Sequence, residues 1–285
     1  MPQPWVPFPV STVTSGTRFN NSPCFTFPRN ELQVAIMLTA VRSTSRILKP
    51  LASHNVAPFY CQDFARALST AASVSWHKIV PTPDPVAGSP CSRSSHGVSF
   101  VGGGTAAPRL LVIGGEHIAR TPIADEKQAV WAADYTHHGV WKWRSIAGRG
   151  NGIPSLPSRL GHAQATIGDK IYIFGGRSGI QMDEEPLNDM WVLDASGKPG
   201  TEEWSEVLYD SSPSSSPPPE ARSFHKMVAV DTDLYIFGGC SASGRLADLH
   251  KFDTAARTWP DLGTSNVLGG RGGSNLIPLK GGTLA

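Results

Sequence analysis

The chain has 285 residues, including 29 glycines and 24 prolines, and a formal net charge of +2. This length accommodates one large domain and an additional segment, and so much glycine and proline is typical of a fold with many turns. A charge so close to zero predicts no general affinity for nucleic acid or acidic membranes, and the sequence has no run of 18 apolar residues that would predict a transmembrane helix. The cysteines (Cys24, Cys61, Cys91 and Cys240) form no Cys-x-x-Cys pair, which argues against a zinc site or a disulfide framework.

The first 75 residues differ in pattern from the rest of the chain. They are rich in Ser, Thr, Pro and Ala, and no acidic residue occurs between Glu31 and Asp63. From Met37, which 36 residues precede, the composition is that of an organelle transit peptide, and Arg66–Thr70 resembles a mitochondrial processing site. Two interpretations of residues 1–75 stay open, a disordered tail and a presequence. The protein is predicted to be intracellular, in the cytoplasm or, with a presequence from Met37, in mitochondria.

Residues 76–285 are predicted to form one β domain that begins with the strand Trp76–Val80. This strand matches the fourth strand of a four-stranded unit, but no first three strands precede it. We expect it to pair with the last sheet of the domain, as a strand does when it closes a ring of sheets. Pro81–Cys91 then forms a proline-rich connector.

A repeating unit follows, and it is clearest between Arg159 and Trp204. An alternating run leads into the apolar strand Ile171–Phe174, after which a third strand is predicted at 188–194 and a fourth at Trp204–Val207. Four short strands cannot bury both faces of their sheet alone. Such a unit must therefore stack on copies of itself.

Two further copies occur at regular spacing. The arginines that open the three units, Arg93, Arg159 and Arg222, are 66 and 63 residues apart. A diglycine follows the second strand of each unit: Gly114-Gly115, Gly175-Gly176 and Gly238-Gly239. Glycine adopts positive φ angles that cost a residue with a Cβ about 1–2 kcal/mol, so these pairs predict sharp turns at equivalent points.

The repeated elements resemble the Kelch repeat, whose units are four-stranded propeller blades. The elements are Arg-x-x-His, Tyr-Ile-Phe-Gly-Gly, Asn-Asp-x-x-x-x-Asp and Thr-x-Trp, and they extend from about Trp76 to Gly273. The resemblance implies an all-β Kelch β-propeller with blades at about 93–146, 159–207 and 222–262. A further blade begins at 271–285 with Asn275–Leu279 as its first strand, so the propeller is predicted to be incomplete.

Within Kelch proteins, the pattern is similar to that of the plant nitrile-specifier and epithiospecifier type. The residues that carry this likeness include Arg93–Gly97, Glu116, Phe174–Arg177, Ala221–His225 and Arg271–Gly273. The likeness implies an iron-dependent, lyase-like activity on glucosinolate breakdown products.

The opening arginines are the first candidate binding residues. Arg93, Arg159, Arg222 and Arg271 occupy equivalent positions, and no acidic partner is evident in the repeat, so we expect their guanidinium groups to line one channel mouth. Guanidinium groups suit carboxylate, sulfate or phosphate. Alternatively, each arginine binds loop carbonyls of its own or the adjacent blade. The accompanying His96, His162 and His225 are predicted to be structural.

Glu116 and Arg177 are the second candidates, since each follows a diglycine directly. The specifier resemblance implies that such loops contribute to a substrate pocket, whereas the simpler interpretation is a solvated charge. Trp143, Trp204 and Trp259 recur at the repeat spacing and are predicted to pack between blades.

The sequence predicts no catalytic residue and no metal site. The specifier type is expected to hold ferrous iron with Glu-x-x-x-Asp-x-x-x-His. Glu185–Asp189 and Glu206–Asp210 have the first spacing, but Leu193 and Ser214 stand where the histidine should be. No Gly-x-Ser-x-Gly or Gly-x-x-x-x-Gly-Lys motif occurs either.

Two function classes remain. The first, which we favour, is a binding module without cofactor that holds a partner protein or a small anion at the channel mouth and loops. The second is a specifier-like protein that uses Fe2+. In either case the open blade edges predict self-association.

Overall fold

A computed structural model describes residues 78–102, 107–136, 138–146, 155–179, 185–210, 216–262, 268–279 and 284–285. The predictions for residues 1–75, and for Trp76 and His77 of the first strand, lie outside these residues. Nearly all regular structure that the model describes is antiparallel β-sheet. None of the helices in the described ranges is long and apolar enough to cross a bilayer.

Blade one is a four-stranded antiparallel sheet. Its strands, in spatial order, are β1 (Gly97–Val101), β2 (Arg109–Ile113), β5 (Val130–Tyr135) and β6 (Trp141–Ser145). The loop after β2 is more structured than predicted and contains the hairpin β3 (Glu116–Ile118) and β4 (Thr121–Pro122) and the one-turn helix α1 (Glu126–Ala129). The Asp125 side chain accepts a hydrogen bond from the Lys127 amide and so begins this turn.

Blade two repeats the arrangement closely. It consists of β7 (Ala163–Ile167), β8 (Lys170–Gly176), β9 (Leu187–Asp194) and β10 (Glu203–Glu206), again antiparallel. The predicted strands of this unit are therefore present.

Among the residues that the structure describes, blade three has three strands instead of the predicted four. They are β11 (Lys226–Val230), β12 (Asp233–Cys240) and β13 (Arg245–Asp253). Where the fourth strand was expected, Thr258 forms only an isolated bridge with Asp253. Pro260 follows two residues later and has no amide proton for a ladder, whereas blade two has Ser205 at the corresponding position.

The blades stack through the two faces of each sheet. Ile171 and Ile173 of β8 pack toward blade one, while Phe174 of the same strand packs toward blade three. Trp204 belongs to the core between blades one and two, and Trp259 to the core between blades two and three. Trp143 has the equivalent register position in blade one and lies on the face that points away from blade two, where it meets Trp131 edge-on at 6.2 Å between ring centroids.

The two glycines of each diglycine make room for two different neighbours. A Cβ on Gly175, which has φ of +62°, would lie 2.6 Å from the Arg222 carbonyl oxygen of blade three. A Cβ on Gly176, with φ of +99°, would lie 3.0 Å from Cβ of His162 in its own blade. The first glycine therefore permits close approach of the next blade, and the second makes room for the repeated histidine.

The segments that flank the blades differ from prediction. Lys78–Val80 are not in a strand; instead Thr82 forms a parallel bridge with Lys142 of β6. At the other end, the described part of Asn275–Leu279 contains only the bridge between Pro278 and Leu284. Pro278 lacks the amide proton that a regular strand would need at this point.

A buried ionic cluster connects blades one and two. Arg109 of β2 and Arg144 of β6 both bind Glu202, which precedes β10, with closest nitrogen–oxygen distances of 2.8 and 2.7 Å. Arg144 also pairs with Asp134 at 2.7 Å. The Arg109 and Glu202 side chains are only 1% and 2% exposed. Burial opposes ionisation of Glu202, but the two arginines outweigh it and lower the pKa of this carboxyl group.

Replacing Glu202 with Gln should lower the free energy of unfolding by about 3–5 kcal/mol, because the buried Arg109 and the half-buried Arg144 would lose their shared counter-charge. Urea denaturation measures this difference. Lys170→Gln is the control, since Lys170 pairs with Asp194 at 3.4 Å at an exposed position and should contribute less than about 1 kcal/mol. Equal effects of the two substitutions would contradict the prediction.

Candidate binding surfaces

Three of the four repeated arginines are buried. Arg159 and Arg222 are 0% exposed and Arg93 is 9% exposed, whereas Arg271 is exposed. The expectation that all four line an open channel mouth is therefore wrong for the first three. Their positions match the alternative interpretation, in which each arginine binds groups within the blades.

Arg159 and Arg222 each bind a glycine carbonyl and a carboxylate of their own blade. The Arg159 guanidinium donates to the Gly175 carbonyl at 3.1 Å and to both carboxylate oxygens of Asp189 at 2.8 Å. Arg222 makes the equivalent bonds to Gly238 and Asp248, at 3.0 Å and 2.7–2.8 Å. These bidentate pairs neutralise both arginines and supply the acidic partner that the sequence pattern was thought to lack.

Arg93 makes a related arrangement without a carboxylate. Its guanidinium donates to the Gly114 carbonyl at 3.0 Å and to the Gln128 carbonyl at 2.7 Å. Blade one has Ala129 at the place of Asp189 in blade two, so a backbone oxygen replaces the carboxylate. Burial lowers the pKa of Arg93.

The repeated histidines are structural groups held close to these arginines. His162 and His225 are 7% and 2% exposed, and the His225 ring meets Phe174 edge-on at 5.4 Å. Burial, reinforced by the positive charge of Arg159 or Arg222, lowers the pKa of each to about 3. The same two causes, burial and Arg93, lower the pKa of His96.

A chain of backbone hydrogen bonds crosses the blades at the third residue of each Arg-x-x-His element and at Gly273, the third residue of the segment that begins at Arg271. The Gly161 amide donates to the Ser95 carbonyl at 2.9 Å, the Phe224 amide to the Gly161 carbonyl at 2.6 Å, and the Gly273 amide to the Phe224 carbonyl at 2.8 Å. All four residues have positive φ, between 54° and 68°. We call this line of residues, together with the neighbouring Glu116 and Arg177, the rim.

Phe224 is the unusual member of the rim. The residue is 40% exposed, and its ring lies against Gly161, where an added Cβ would be 3.0 Å from a ring carbon. The left-handed backbone favours glycine, which stands at two of the other three positions. The sequence analysis did not identify Phe224, although the variation from Ser to Gly to Phe to Gly at this position is visible in the repeat.

Glu116 and Arg177, the charged members of the rim, lie on different blades. Glu116 accepts a hydrogen bond from the Ser95 hydroxyl at 2.6 Å. Arg177 donates to the Ser223 hydroxyl at 3.1 Å, and its backbone pairs with Leu160. The rim therefore carries charged groups of both signs as well as an exposed aromatic residue.

The residues with iron-ligand spacing do not fit an iron site. Both carboxylate oxygens of Asp189 accept hydrogen bonds from Arg159, and one also accepts from the Trp191 indole at 2.8 Å. Neither Glu185 nor Glu206 completes a set of metal ligands. Among the described residues, no cluster of three His, Cys, Asp or Glu side chains is suited to a metal ion. Ser214 lies outside those residues.

Comparison with known proteins identifies the repeat. The profile of the KLHDC2/KLHL20/DRC7 Kelch-repeats domain matches residues 179–282. The chain is 40% identical over 108 residues to the tRNA wybutosine-synthesizing protein 2/3/4 of Oryza sativa subsp. japonica, covering 38% of this chain and 9% of that protein. It is 29% identical over 170 residues to the human Leucine-zipper-like transcriptional regulator 1, covering 60% and 18%.

A plant enzyme is also similar. The N-(sulfonatooxy)prop-2-enimidothioate sulfolyase of Thlaspi arvense is 32% identical over 165 residues, which cover 58% of this chain and 40% of that protein. The predicted Kelch repeats and their likeness to a plant specifier-type protein are thus confirmed. The chain spans less than half the length of each of these relatives.

Replacing Arg222 with Ala should lower the free energy of unfolding by about 1–3 kcal/mol, because the Gly238 carbonyl and Asp248 lose their partner. The Asp248 side chain is 39% exposed, so water recovers part of the loss. Arg271→Ala is the matched control and should change stability by less than about 0.5 kcal/mol. A melting temperature of unaltered protein that rises with sulfate, with no loss in Arg222→Ala, would instead favour an anion-binding arginine.

The buried histidines should make the protein less stable as the pH falls. Folded His162 and His225 have a pKa of about 3, whereas unfolded histidine has a pKa near 6.5, so only the unfolded chain gains protons between these values. From pH 7 to pH 5, each should reduce the free energy of unfolding by about 1–2 kcal/mol. Urea denaturation across this range is the measurement, with pH 7 to 9 as a reference range.

The carboxylates do not account for this window. The arginines outweigh burial and hold the pKa of Asp189 and Asp248 below its usual range, so their contribution is lost only at lower pH. Unchanged stability between pH 7 and pH 5 would show that the histidines accept protons in the folded state.

Proposed function

We propose that this chain, whose repeats are Kelch repeats, is a protein-interaction module that binds a partner protein across the rim. The Kelch match and the three-blade stack support the general role, because blades present loops from several repeats on one surface. The choice of the rim as the binding surface depends on Phe224.

The single observation that carries the proposal is an exposed aromatic ring on strained backbone. A left-handed conformation costs a residue with a Cβ about 1–2 kcal/mol. Phe224 is 40% exposed, so burial within this chain offsets only part of that cost. Aromatic side chains provide much of the contact energy in protein interfaces, and a partner that covers Phe224 would complete its burial.

The charges of the rim favour a protein over a small anion. The arginines that were expected to attract an anion are buried, and two of them are neutralised by Asp189 and Asp248. Glu116 and Arg177 instead bring one negative and one positive group to the rim, at Ser95 and at Ser223. Such a mixture suits the polar border of a protein interface. We do not propose the specifier-like activity, because Asp189 is held by Arg159 and Trp191.

Replacing Phe224 with Gly should weaken partner binding at least tenfold while the free energy of unfolding stays the same or rises, because glycine removes the backbone strain. A photo-cross-linking phenylalanine analogue at position 224 identifies the partner in an extract of the source organism. The same analogue at Val140, which is 41% exposed on a different turn, is the control.

The partner found from position 224 is then titrated against unaltered protein and Phe224→Gly. A loss of stability in Phe224→Gly with unchanged partner affinity would mean that the ring only packs on Gly161. Equal cross-linking from positions 140 and 224 would also contradict binding at the rim.

A further inference from the structure

The hairpin after β2 gives blade one a projection that blade three lacks. In blade three the turn 241–244 joins β12 directly to β13, whereas blade one inserts β3, β4 and α1 between the equivalent strands. The residues at the tip of the hairpin, His117–Arg120, are all exposed, and Ile118 is 59% exposed. We call these residues the finger.

The base of the hairpin is a fixed part of the fold. Glu116 and Ser94 exchange two backbone hydrogen bonds of 2.8 and 3.0 Å, and the Ile123 amide donates to the Gly115 carbonyl at 3.0 Å. Ile123 is only 4% exposed, so it anchors the chain as it leaves β4. The Gly115 amide donates to the Arg159 carbonyl of blade two at 2.9 Å. The finger therefore begins at a junction between two described blades, and blade two leaves its tip uncovered.

The side chain of Glu116 shapes the turn at the tip. One carboxylate oxygen accepts a hydrogen bond from the Ser95 hydroxyl at 2.6 Å, and the other accepts one from the Arg120 amide. Arg120 has φ of +63°, a left-handed conformation that favours glycine over arginine. Both oxygens of Glu116 are thus occupied within the chain. Glu116 holds the finger in place and connects it, through Ser95, to the rim.

The finger presents an apolar and a cationic side chain on ordered backbone. Ile118 pairs with Thr121 across the hairpin. Among the residues that the structure describes, the Arg120 guanidinium forms no ion pair, since the Glu116 carboxylate binds Ser95 and a backbone amide instead. A preformed hairpin loses little conformational entropy when a partner covers it. An apolar side chain near an unpaired guanidinium is complementary to an apolar pocket with a carboxylate at its border.

We propose that the finger is a second contact with the protein that binds the rim. Ile118 enters an apolar pocket of that protein, and Arg120 pairs with a carboxylate beside the pocket. This inference rests on the function proposed for the rim. The finger and the rim share Glu116, and the backbone hydrogen bonds that start at Ser95 lead across the blades to Phe224, so one partner can cover both.

A photo-cross-linking amino acid at position 118 tests the contact directly. The protein that cross-links from position 224 should also cross-link from position 118, and mass spectrometry identifies it in both adducts. The same analogue at Val140 is again the control. A different protein at position 118, or no adduct there, would overturn the second contact while leaving binding at Phe224 intact.

Titration of that protein separates the two side chains of the finger. Ile118→Ser and Arg120→Gly should each weaken binding about fivefold to tenfold, the first by removing apolar contact and the second by removing charge. Arg120→Gly should not destabilise the fold, since glycine suits the left-handed backbone. Its loss of affinity should also shrink as the salt concentration rises. Arg257→Gly is the matched control, because Arg257 is likewise an exposed arginine with positive φ, at 59°, in a turn of blade three.

Replacing Glu116 with Ala tests its positioning role. Glu116→Ala should weaken binding in the otherwise unaltered chain but little further in the Ile118→Ser chain, because a finger without its apolar contact has less to position. A purely structural role would lower stability equally in both chains and would not produce this coupling in affinity.

Three results would contradict these proposals in distinguishable ways. Equal affinity of Ile118→Ser and unaltered protein, or equal effects of Arg120→Gly and Arg257→Gly, would overturn the finger as a contact while binding at the rim stands. Unchanged affinity of Phe224→Gly would instead refute the rim as the binding surface, whatever the finger variants do.

Discussion

The pairing of a buried arginine with a glycine carbonyl and a carboxylate determines how blades two and three are held together. A guanidinium group removed from water must have its hydrogen bonds and its charge satisfied, so Arg222 fixes the turn at Gly238 and the third strand at Asp248 together. The carbonyl of the same arginine receives the amide of Gly176 from the preceding blade. One residue thus orders its own sheet and attaches it to its neighbour.

The repeat could be read from the sequence because it depends on local features. Alternating apolar residues and paired glycines predicted the strands of blades one and two, and the structure contains them. The pairing of Arg159 with Asp189 was missed because the two residues are 30 positions apart and meet only when the first and third strands share a blade. The missing fourth strand of blade three depends on Pro260, whose effect on the ladder the repeat pattern obscured.

The rim shows why a candidate site is harder to predict than a fold. Ser95, Gly161 and Phe224 are equivalent in sequence, yet only backbone torsion reveals that all three adopt left-handed conformations. Glycine at one of these positions is unremarkable in the sequence. Phenylalanine at another gains significance only when its positive φ and its exposure are known together.

The short parallel bridge at Thr82 also affects how readily molecules of this protein associate through exposed strand edges in concentrated solution. Thr82 donates its amide to the Trp141 carbonyl and accepts from the Trp143 amide, so it occupies the outer edge of blade one. Pro81 and Pro83 flank Thr82 and have no amide protons to donate to an additional strand. This edge of the sheet is therefore a poor template for fibril growth. The proline-rich connector protects it from edge-to-edge polymerisation.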